Sequence, residues 1–364
     1  MRYAFVYSAL VACVSAHGVV TSITGANGVV MPGLSKERRA NSAETVADGT
    51  PRDCSSNGCG SQADTSIIRD REIASGRASP LGRTQGNGPV DAAKMINAFM
   101  GGAGAPTNNG PASSVGQEDD LSGLKGLQQR SSGESKRQLG GLLGGLLGGG
   151  AGGNGGNGAK GNGGNGGGAA GGLGGLLGGL GGGAGGNAGT KSNKPVENMV
   201  AATAGKGQAQ GLPTCSDNGE VTITYRQINQ DGAGPLTAKI DPSSGGTDAS
   251  AFQTAQITQN VPGIVAGLST ATNTDFTVKV QMPQGMTCTG TVGNATNVCV
   301  GMVRNSTPAG PFGGSFAFVQ PEKARARAIA YRLRKRFEIA RPDAEAEFRA
   351  AEAAELEEEG DDEE

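Results

Sequence analysis

The chain has 364 residues, with 31 Lys and Arg against 33 Asp and Glu, and its formal net charge of -2 points to no charged partner. This balance argues against a nucleic-acid-binding protein, which normally carries a strongly basic surface. Trp is absent and Gly accounts for 67 residues, so any core must rest on aliphatic side chains and a few Phe.

The first 16 residues have the pattern of a secretory signal peptide. Arg2 precedes an apolar run, and Val14 and Ala16 are small residues at the positions that a signal peptidase reads. Cleavage after Ala16 would place His17, the chain's only histidine, at the mature N-terminus. The alternative interpretation is a buried first strand. No later stretch is apolar enough to cross a bilayer as a helix, so the pattern predicts an extracellular protein without a transmembrane segment.

We expect residues 17–125 to form the N-terminal part of a globular domain. The stretch "HGVVTSI" has the Val and Thr content of a strand, and "ADTSIIRDREIASG" predicts a helix that ends at Gly76. A second helix is predicted in "DAAKMINAFMGG", where Asp91 is placed to cap the N-terminus. Its apolar residues share one face: Ala92, Met95, Ile96 and Phe99.

Residues 126–200 predict a disordered Gly-rich linker inserted into this domain. Within it, the run 139–189 is mostly Gly with Leu, Ala and Asn, and Gly loses the most backbone entropy on folding while burying no side chain. A structural cell-wall role, in which the Leu pairs self-associate, is the alternative to a passive linker. The dibasic pair Lys136-Arg137 precedes the run, and it predicts proteolytic processing after Arg137.

Residues 201–320 predict the β-rich part of the domain. In "EVTITYRQIN" the side chains of Val221, Ile223 and Tyr225 alternate with polar ones, which is typical of a half-buried strand. Further short strands are predicted in "LTAKID", "DFTVKVQMP", "TCTGTV", "NVCVGMVRNS" and "SFAFVQ". The fold class is therefore mainly β, a β-sandwich-like domain with short helices that both flanks of the insertion build jointly. Asn294 and Asn305 begin N-glycosylation motifs in this part.

Residues 321–364 predict a charged helical tail. The segment "EKARARAIAYRLRKRFEIAR" is basic, and its apolar residues recur at helical spacing: Ala326, Ala330, Leu333, Phe337 and Ala340. A strongly acidic stretch follows Pro342. Two interpretations stay open. The helices are solvated and paired by opposite charge, or the basic face meets an anionic membrane or polymer.

Five cysteines remain after the leader, and secretion favours disulfides. Cys288 and Cys299 flank a predicted hairpin with its turn near Gly293-Asn294, so a bridge across it is expected. Cys54 and Cys59 enclose the turn-forming run "SSNG", which makes a local bridge plausible. Cys215 is left over, and it could displace either pairing. The cysteines are too scattered for a zinc site.

His17 is a candidate copper ligand. A terminal histidine offers its amine and a ring nitrogen, and Cu²⁺ accepts tetragonal nitrogen and oxygen ligands. A third ligand would have to come from another group, such as Asp53, Asp64 or Asp70. The start "HGVVTS" resembles the mature start of some lytic polysaccharide monooxygenases, in which Phe316 or Phe318 would correspond to an axial aromatic residue. The second imidazole of such a site is missing here, so the sequence favours a non-enzymatic protein over an oxidative enzyme.

Longer strings carry a more specific resemblance. The segments "AHGVVTSITGANGVVMPGL", "QINQDGAGPLTAKIDPSSGGTD", "VKVQMPQGMTCTGTV" and "AGPFGGSFAFVQ" closely resemble the Egh-type virulence-factor family of pathogenic fungi. That resemblance implies a secreted, appressorium-associated surface protein whose partners are fungal cell-wall or host surface components. It supplies no catalytic residues.

Overall fold

The computed structural model describes residues 17–36, 38–39, 64–84, 87–104, 107–108, 187–192, 198–264, 267–307 and 310–340. Several sequence predictions lie outside these residues: the signal peptide with Ala16, the Cys54 and Cys59 pair, Asp53, Arg137, the Gly-rich run up to residue 186 and the acidic stretch after residue 340.

Strands dominate the described part of the chain. They are β1 (Gly18–Thr24), β2 (Val30–Pro32), β3 (Arg38–Arg39), β4 (Ser66–Ile67), β5 (Arg83–Thr84), β6 (Gly88–Pro89), β7 (Thr107–Asn108), β8 (Thr190–Lys191), β9 (Glu220–Gln227), β10 (Thr237–Asp241), β11 (Gln253–Gln259), β12 (Thr274–Gln281), β13 (Gly290–Val292), β14 (Ala295–Arg304) and β15 (Phe312–Val319). The helices are α1 (Asp70–Ala74), α2 (Ala92–Phe99), α3 (Met199–Thr203), α4 (Gly207–Gln210) and α5 (Glu322–Ala340), with a 3-10 turn at Ala249–Ala251.

One curled antiparallel sheet organises the domain. Its strand order is β2-β1-β9-β12-β11-β10-β14-β15-β4-β5-β6, with β13 beside β14 and β8 beside β12, while β3 and β7 form a separate parallel pair. The curl brings β1 against β15, close enough that a Cβ added to Gly314 would lie 2.7 Å from the Val20 nitrogen. Two facing layers result, and the prediction of a mainly β, sandwich-like domain is confirmed.

Strand β9 lies between β1 and β12 and shows why these residues fold as a sheet. Val221, Ile223 and Tyr225 are buried. Ile223 and Tyr225 pair with both β1 and β12, and Val221 pairs with β12. Burial of apolar surface contributes about 25 cal/mol per Å², so this alternation fixes the register. Because β1 comes from the N-terminal flank and β12 from the C-terminal flank, the two flanks share one sheet and one core.

Helix α2 covers the core at the predicted place. The Asp91 carboxylate accepts a hydrogen bond from the Ala93 amide at 2.9 Å, which satisfies a free helix N–H. The predicted apolar face is buried, and Gly101 follows with a φ of 77° that favours glycine. The first predicted helix is shorter than expected, because residues 66–67 pair with β15 as strand β4 and only Asp70–Ala74 remain helical.

The β13–β14 hairpin carries the bridge between Cys288 and Cys299. Its two-residue turn consists of Gly293, with a φ of 57°, and Asn294. Cys215 is a buried free thiol, and burial raises its pKa to about 12. Thr190–Lys191, near the end of the predicted linker, pair with β12 and therefore belong to the folded domain.

Helix α5 forms where the sequence predicts a helix, and it packs against the domain with a face other than its apolar stripe. Ala324 and Ala328 are buried, whereas Leu333 and Phe337 of the predicted apolar face are 49% and 70% exposed. The buried alanines face the loop around Met282–Met286. Among the helices of the described ranges, none is long and apolar enough to span a membrane.

Candidate functional site: a buried polar cluster around His17

The start of β1 places His17 inside the protein. The His17 carbonyl accepts a hydrogen bond from the Ile228 amide at 2.8 Å, which continues the β1–β9 pairing by one residue. His17 therefore lies beside the loop 228–233 that follows β9, and its side chain is fully buried.

Asn229 binds His17 at two atoms. The His17 backbone nitrogen donates to Asn229 Oδ1 at 2.6 Å, and Asn229 Nδ2 lies 2.9 Å from His17 Nδ1. An amide NH2 group can only donate, so this contact makes Nδ1 the acceptor and puts the ring proton on Nε2. One side chain thus engages both atoms with which a terminal histidine would chelate a metal.

The opposite wall of this site comes from the connection between β14 and β15. The Phe312 ring lies 5.2 Å from the His17 ring, centroid to centroid. Asn305 Oδ1 accepts from the Phe312 and Thr307 amides at 3.0 and 3.3 Å. The Thr307 hydroxyl donates to the Asp231 carbonyl at 2.9 Å, so this connection is tied to the loop that contacts His17. We call His17, Tyr225, Asn229, Asp231, Asn305, Thr307 and Phe312 the His17 cluster.

Tyr225 of β9 lies buried beside the loop that contacts His17. Its hydroxyl donates to the Gly232 carbonyl at 2.9 Å. Burial raises the pKa of Tyr225, and the negative charge of Asp231 raises it further, so the phenol stays protonated. A Cβ on Gly18 would lie 1.7 Å from the Tyr225 hydroxyl, and one on Gly232 would lie 2.0 Å from the His17 carbonyl oxygen. Only glycine fits at these two positions.

The chemistry open to the cluster follows from this geometry. The His17 nitrogen and Nδ1 point towards one place, as in a copper chelate, but the Asn229 amide lies there. Copper would have to displace a buried side chain. In the part of the chain that the structure describes, no group of three His, Cys, Asp or Glu residues is arranged to hold a metal ion.

Two of the three carboxylates suggested as a third copper ligand, Asp64 and Asp70, pair with cations. Asp64 lies 2.9 Å from Lys36, and both side chains are buried. Asp70 accepts from Arg304 at 2.6 Å, and this hydrogen bond holds the pKa of Asp70 below its ordinary value.

The aromatic residues suggested for an axial position belong to the core. Phe316 and Phe318 are fully buried and pack against each other at 6.1 Å between centroids. Phe312, nearer the start of the same strand, is the aromatic residue beside His17.

The two glycosylation motifs differ in exposure. Asn294 is exposed in the hairpin turn, whereas Asn305 is 3% exposed. Asn305 Nδ2 donates to the Asp231 and Ala233 carbonyls at 3.2 and 3.4 Å. A glycan on Asn305 is therefore incompatible with this fold, because it would take the nitrogen that holds the loop.

A second buried polar group joins α1 to the sheet. Glu72 accepts from Arg69 at 3.1 Å and from Arg83 at 2.6 Å. Burial alone raises the pKa of Glu72, but hydrogen bonds from Arg83 and Arg69 outweigh this effect and hold the pKa below its ordinary value. Arg69 also donates to the Gly310 carbonyl at 2.9 Å, so the ion pairs fasten the N-terminal flank to the β14–β15 connection.

Sequence reasoning missed Asn229 and Phe312 as neighbours of His17, and Asn305 as a residue that binds the loop beside it. Asn229 is 212 positions from His17 along the chain, and only the β1–β9 register brings them together. The local sequence gives one signal. The turn-forming residues of "QINQDGAGP" come at the end of a strong strand pattern, so a turn is expected there.

The sequence matches the family described as Egh16-like virulence factor over residues 15–313. The chain belongs to this family. The matched range contains every member of the His17 cluster and stops before α5.

Similar proteins include two of Pyricularia oryzae. The appressoria-specific virulence factor GAS2 is 45% identical over 324 residues, which is 89% of this chain and 90% of the relative. The appressoria-specific virulence factor GAS1 is 35% identical over 144 residues, which is 38% of this chain and 56% of that protein. No solved structure matches the chain. Membership in this family supports a virulence-associated role.

Proposed function

We propose that this Egh16-like protein is secreted, acts on the fungal surface at the host interface during appressorial penetration, and is not an enzyme. The observation that carries the proposal is the extended similarity to an appressoria-specific virulence factor, which covers nine tenths of both chains. The Cys288–Cys299 bridge agrees with an oxidising, extracellular location. Its partners in this proposal are components of the fungal cell wall or the host surface.

The non-enzymatic part of the proposal rests on how His17 is used. A catalytic histidine must present a ring nitrogen to a substrate or a metal. Here the ring is fully buried, and Nδ1 and the backbone nitrogen both contact Asn229. The His17 cluster therefore serves to join three parts of the chain: the start of β1, the loop after β9 and the β14–β15 connection.

Gene replacement in the fungus that makes the protein tests this function. The strain lacking the gene is complemented with the wild type, with a variant without residues 1–16, and with a variant that carries one extra Ala before His17. We expect the wild type and the extended variant to restore penetration, and a fluorescent fusion to label the outer surface of appressoria. The variant without residues 1–16 is expected to stay inside the cell and to fail. Full rescue by this intracellular variant would contradict surface action.

Copper binding is the second candidate, and one observation favours it. The His17 nitrogen and Nδ1 face the same place, which is the orientation of a chelating pair. Electron paramagnetic resonance of the processed protein with one equivalent of Cu²⁺ tests it. A tetragonal spectrum with nitrogen couplings that disappears in the variant extended by one Ala would establish copper binding at this terminus. A spectrum unchanged by that extension would exclude it.

A further inference from the structure

Helix α5 lies outside the range that matches the family and is fixed to the sheet along one side only. Ala324 and Ala328 are buried, and Tyr331 is half-buried beside them. Lys323 contacts Asp217 at 2.6 Å, and Arg325 donates to Asn297 at 2.8 Å. These contacts hold the first half of the helix in place and determine which face points away from the protein.

The outward face of α5 carries an apolar stripe. Ile329, Leu333 and Phe337 are four residues apart, and they are 40%, 49% and 70% exposed. A spacing of four places side chains above one another on a helix. The sequence adds Ala326 and Ala330 to the same face. A continuous stripe of this kind on the outside of a soluble domain marks a contact surface.

Basic residues border the stripe on both sides. At 100° per residue, Arg325, Arg332 and Arg336 fall along one edge of the stripe, and Lys323, Arg327 and Arg334 fall along the other. Residues 322–340 contain seven basic and two acidic residues in all. The occupant of this surface must therefore be acidic with some apolar side chains.

We propose that the outward face of α5 is covered by the acidic segment 342–364 of the same chain. This segment begins two residues after α5 ends, and it contains twelve acidic residues and one basic residue. It also contains Phe348 and Leu356 among several alanines, which suits the apolar stripe.

Length and tethering favour this occupant over others. Helix α5 is about 28 Å long at 1.5 Å per residue. A 23-residue segment in extended form reaches roughly 70 Å, so it can turn back along the whole helix. A tether of this kind gives an effective concentration in the millimolar range, which favours the attached segment over a partner that is present at a lower concentration. A second copy of α5 carries the same positive charge and is repelled.

The test uses the full chain and three proteins. In the neutralised variant, the eight acidic residues between 355 and 364 become Gln or Asn. In the control variant, each Glu at these positions becomes Asp and each Asp becomes Glu, which keeps the charge. Trypsin cleavage after Arg332, Arg334 and Arg336 is followed by mass spectrometry. Because cleavage follows the exposed fraction of the helix, we expect the neutralised variant to be cut about fivefold faster than the wild type, and the control to match the wild type.

Further measurements separate the other occupants. In 0.5 M NaCl we expect the wild type to lose its protection, because salt screens the pairing. Equal cleavage of all three proteins in low salt would overturn the proposal. So would binding of the wild type to vesicles of phosphatidylcholine and phosphatidylserine as tightly as the neutralised variant, since the face would then be open to a membrane. A wild-type dimer in sedimentation that dissociates on neutralisation would also overturn it, because the occupant would be a second copy.

Discussion

The replacement Asn229→Ala tests the structural role of the His17 cluster. It removes the acceptor for the His17 nitrogen at 2.6 Å and the partner of Nδ1 at 2.9 Å. Each buried polar group that loses its partner costs about 1–3 kcal/mol, so we expect a loss of about 3 kcal/mol in the free energy of unfolding. For a domain of this size, the melting temperature should fall by roughly 6–12 °C.

Thermal and urea unfolding of the secreted protein, followed by circular dichroism, measure this loss. Gln230→Ala in the same loop is the matched control, and it should stay within about 0.5 kcal/mol of the wild type. Asn229→Asp keeps the acceptor for the His17 nitrogen and can accept from Nδ1 after a change of tautomer, so it should recover most of the stability. If Asn229→Ala unfolds like the control, the His17 cluster does not stabilise the fold and the reasoning is refuted.

Three further predictions concern stability. Glu72→Gln leaves two cations without their counter-charge and should cost about 3 kcal/mol at pH 7 in urea unfolding. Because the folded pKa of Glu72 is lowered, its contribution is complete above pH ~4.5 and is lost as the pH falls, so the variant should lose less stability than the wild type between pH 6 and pH 3. Replacing Cys288 and Cys299 together by Ser opens a closed loop with a sequence separation of 11 and should lower the unfolding free energy by about 2–3 kcal/mol. Gly232→Ala should prevent accumulation of the folded protein, whereas Gly104→Ala, where an added Cβ meets nothing within 4 Å, should accumulate normally.

Each of these outcomes has a result that counts against it. A Glu72→Gln variant as stable as the wild type at pH 7 would mean that the buried ion pairs contribute nothing. An unchanged urea midpoint after removal of the bridge would remove the hairpin as a source of stability. Equal yields of the two glycine variants would show that the Gly232 backbone does not need to approach His17 so closely.

Local patterns in the sequence were enough to predict much of the fold. The alternation of apolar Val221, Ile223 and Tyr225 with polar residues predicts strand β9, because every second side chain of a strand points to the same face. Asp91 predicts where α2 begins, because an N-cap side chain bonds only to the backbone of the next few residues. The bridge between Cys288 and Cys299 follows from a hairpin whose turn is local.

The surroundings of His17 could not be predicted in this way. Asn229 and Phe312 meet His17 only through strand pairing over long separations, and no periodicity reports such a register. The glycosylation motif at Asn305 can be recognised from three neighbouring residues. The burial of the Asn305 side chain depends on the distant loop that it binds.

The packing face of α5 could not be predicted from the sequence either. Its larger apolar residues lie on the exposed side, while Ala324 and Ala328 are buried. Contacts of Lys323 with Asp217 and of Arg325 with Asn297 of β14 fix this orientation. A hydrophobic pattern alone does not tell which neighbour a helix has.

Copper titration of the processed protein tests the central claim most directly, namely that His17 is a structural anchor. Calorimetry compares protein that begins at His17 with protein that carries one extra Ala before it. Because Asn229 holds both chelating atoms, we predict the same weak affinity for Cu²⁺ in the two proteins. Tight binding of one Cu²⁺ per chain that is lost in the extended protein would contradict the account and establish a metal centre at this terminus.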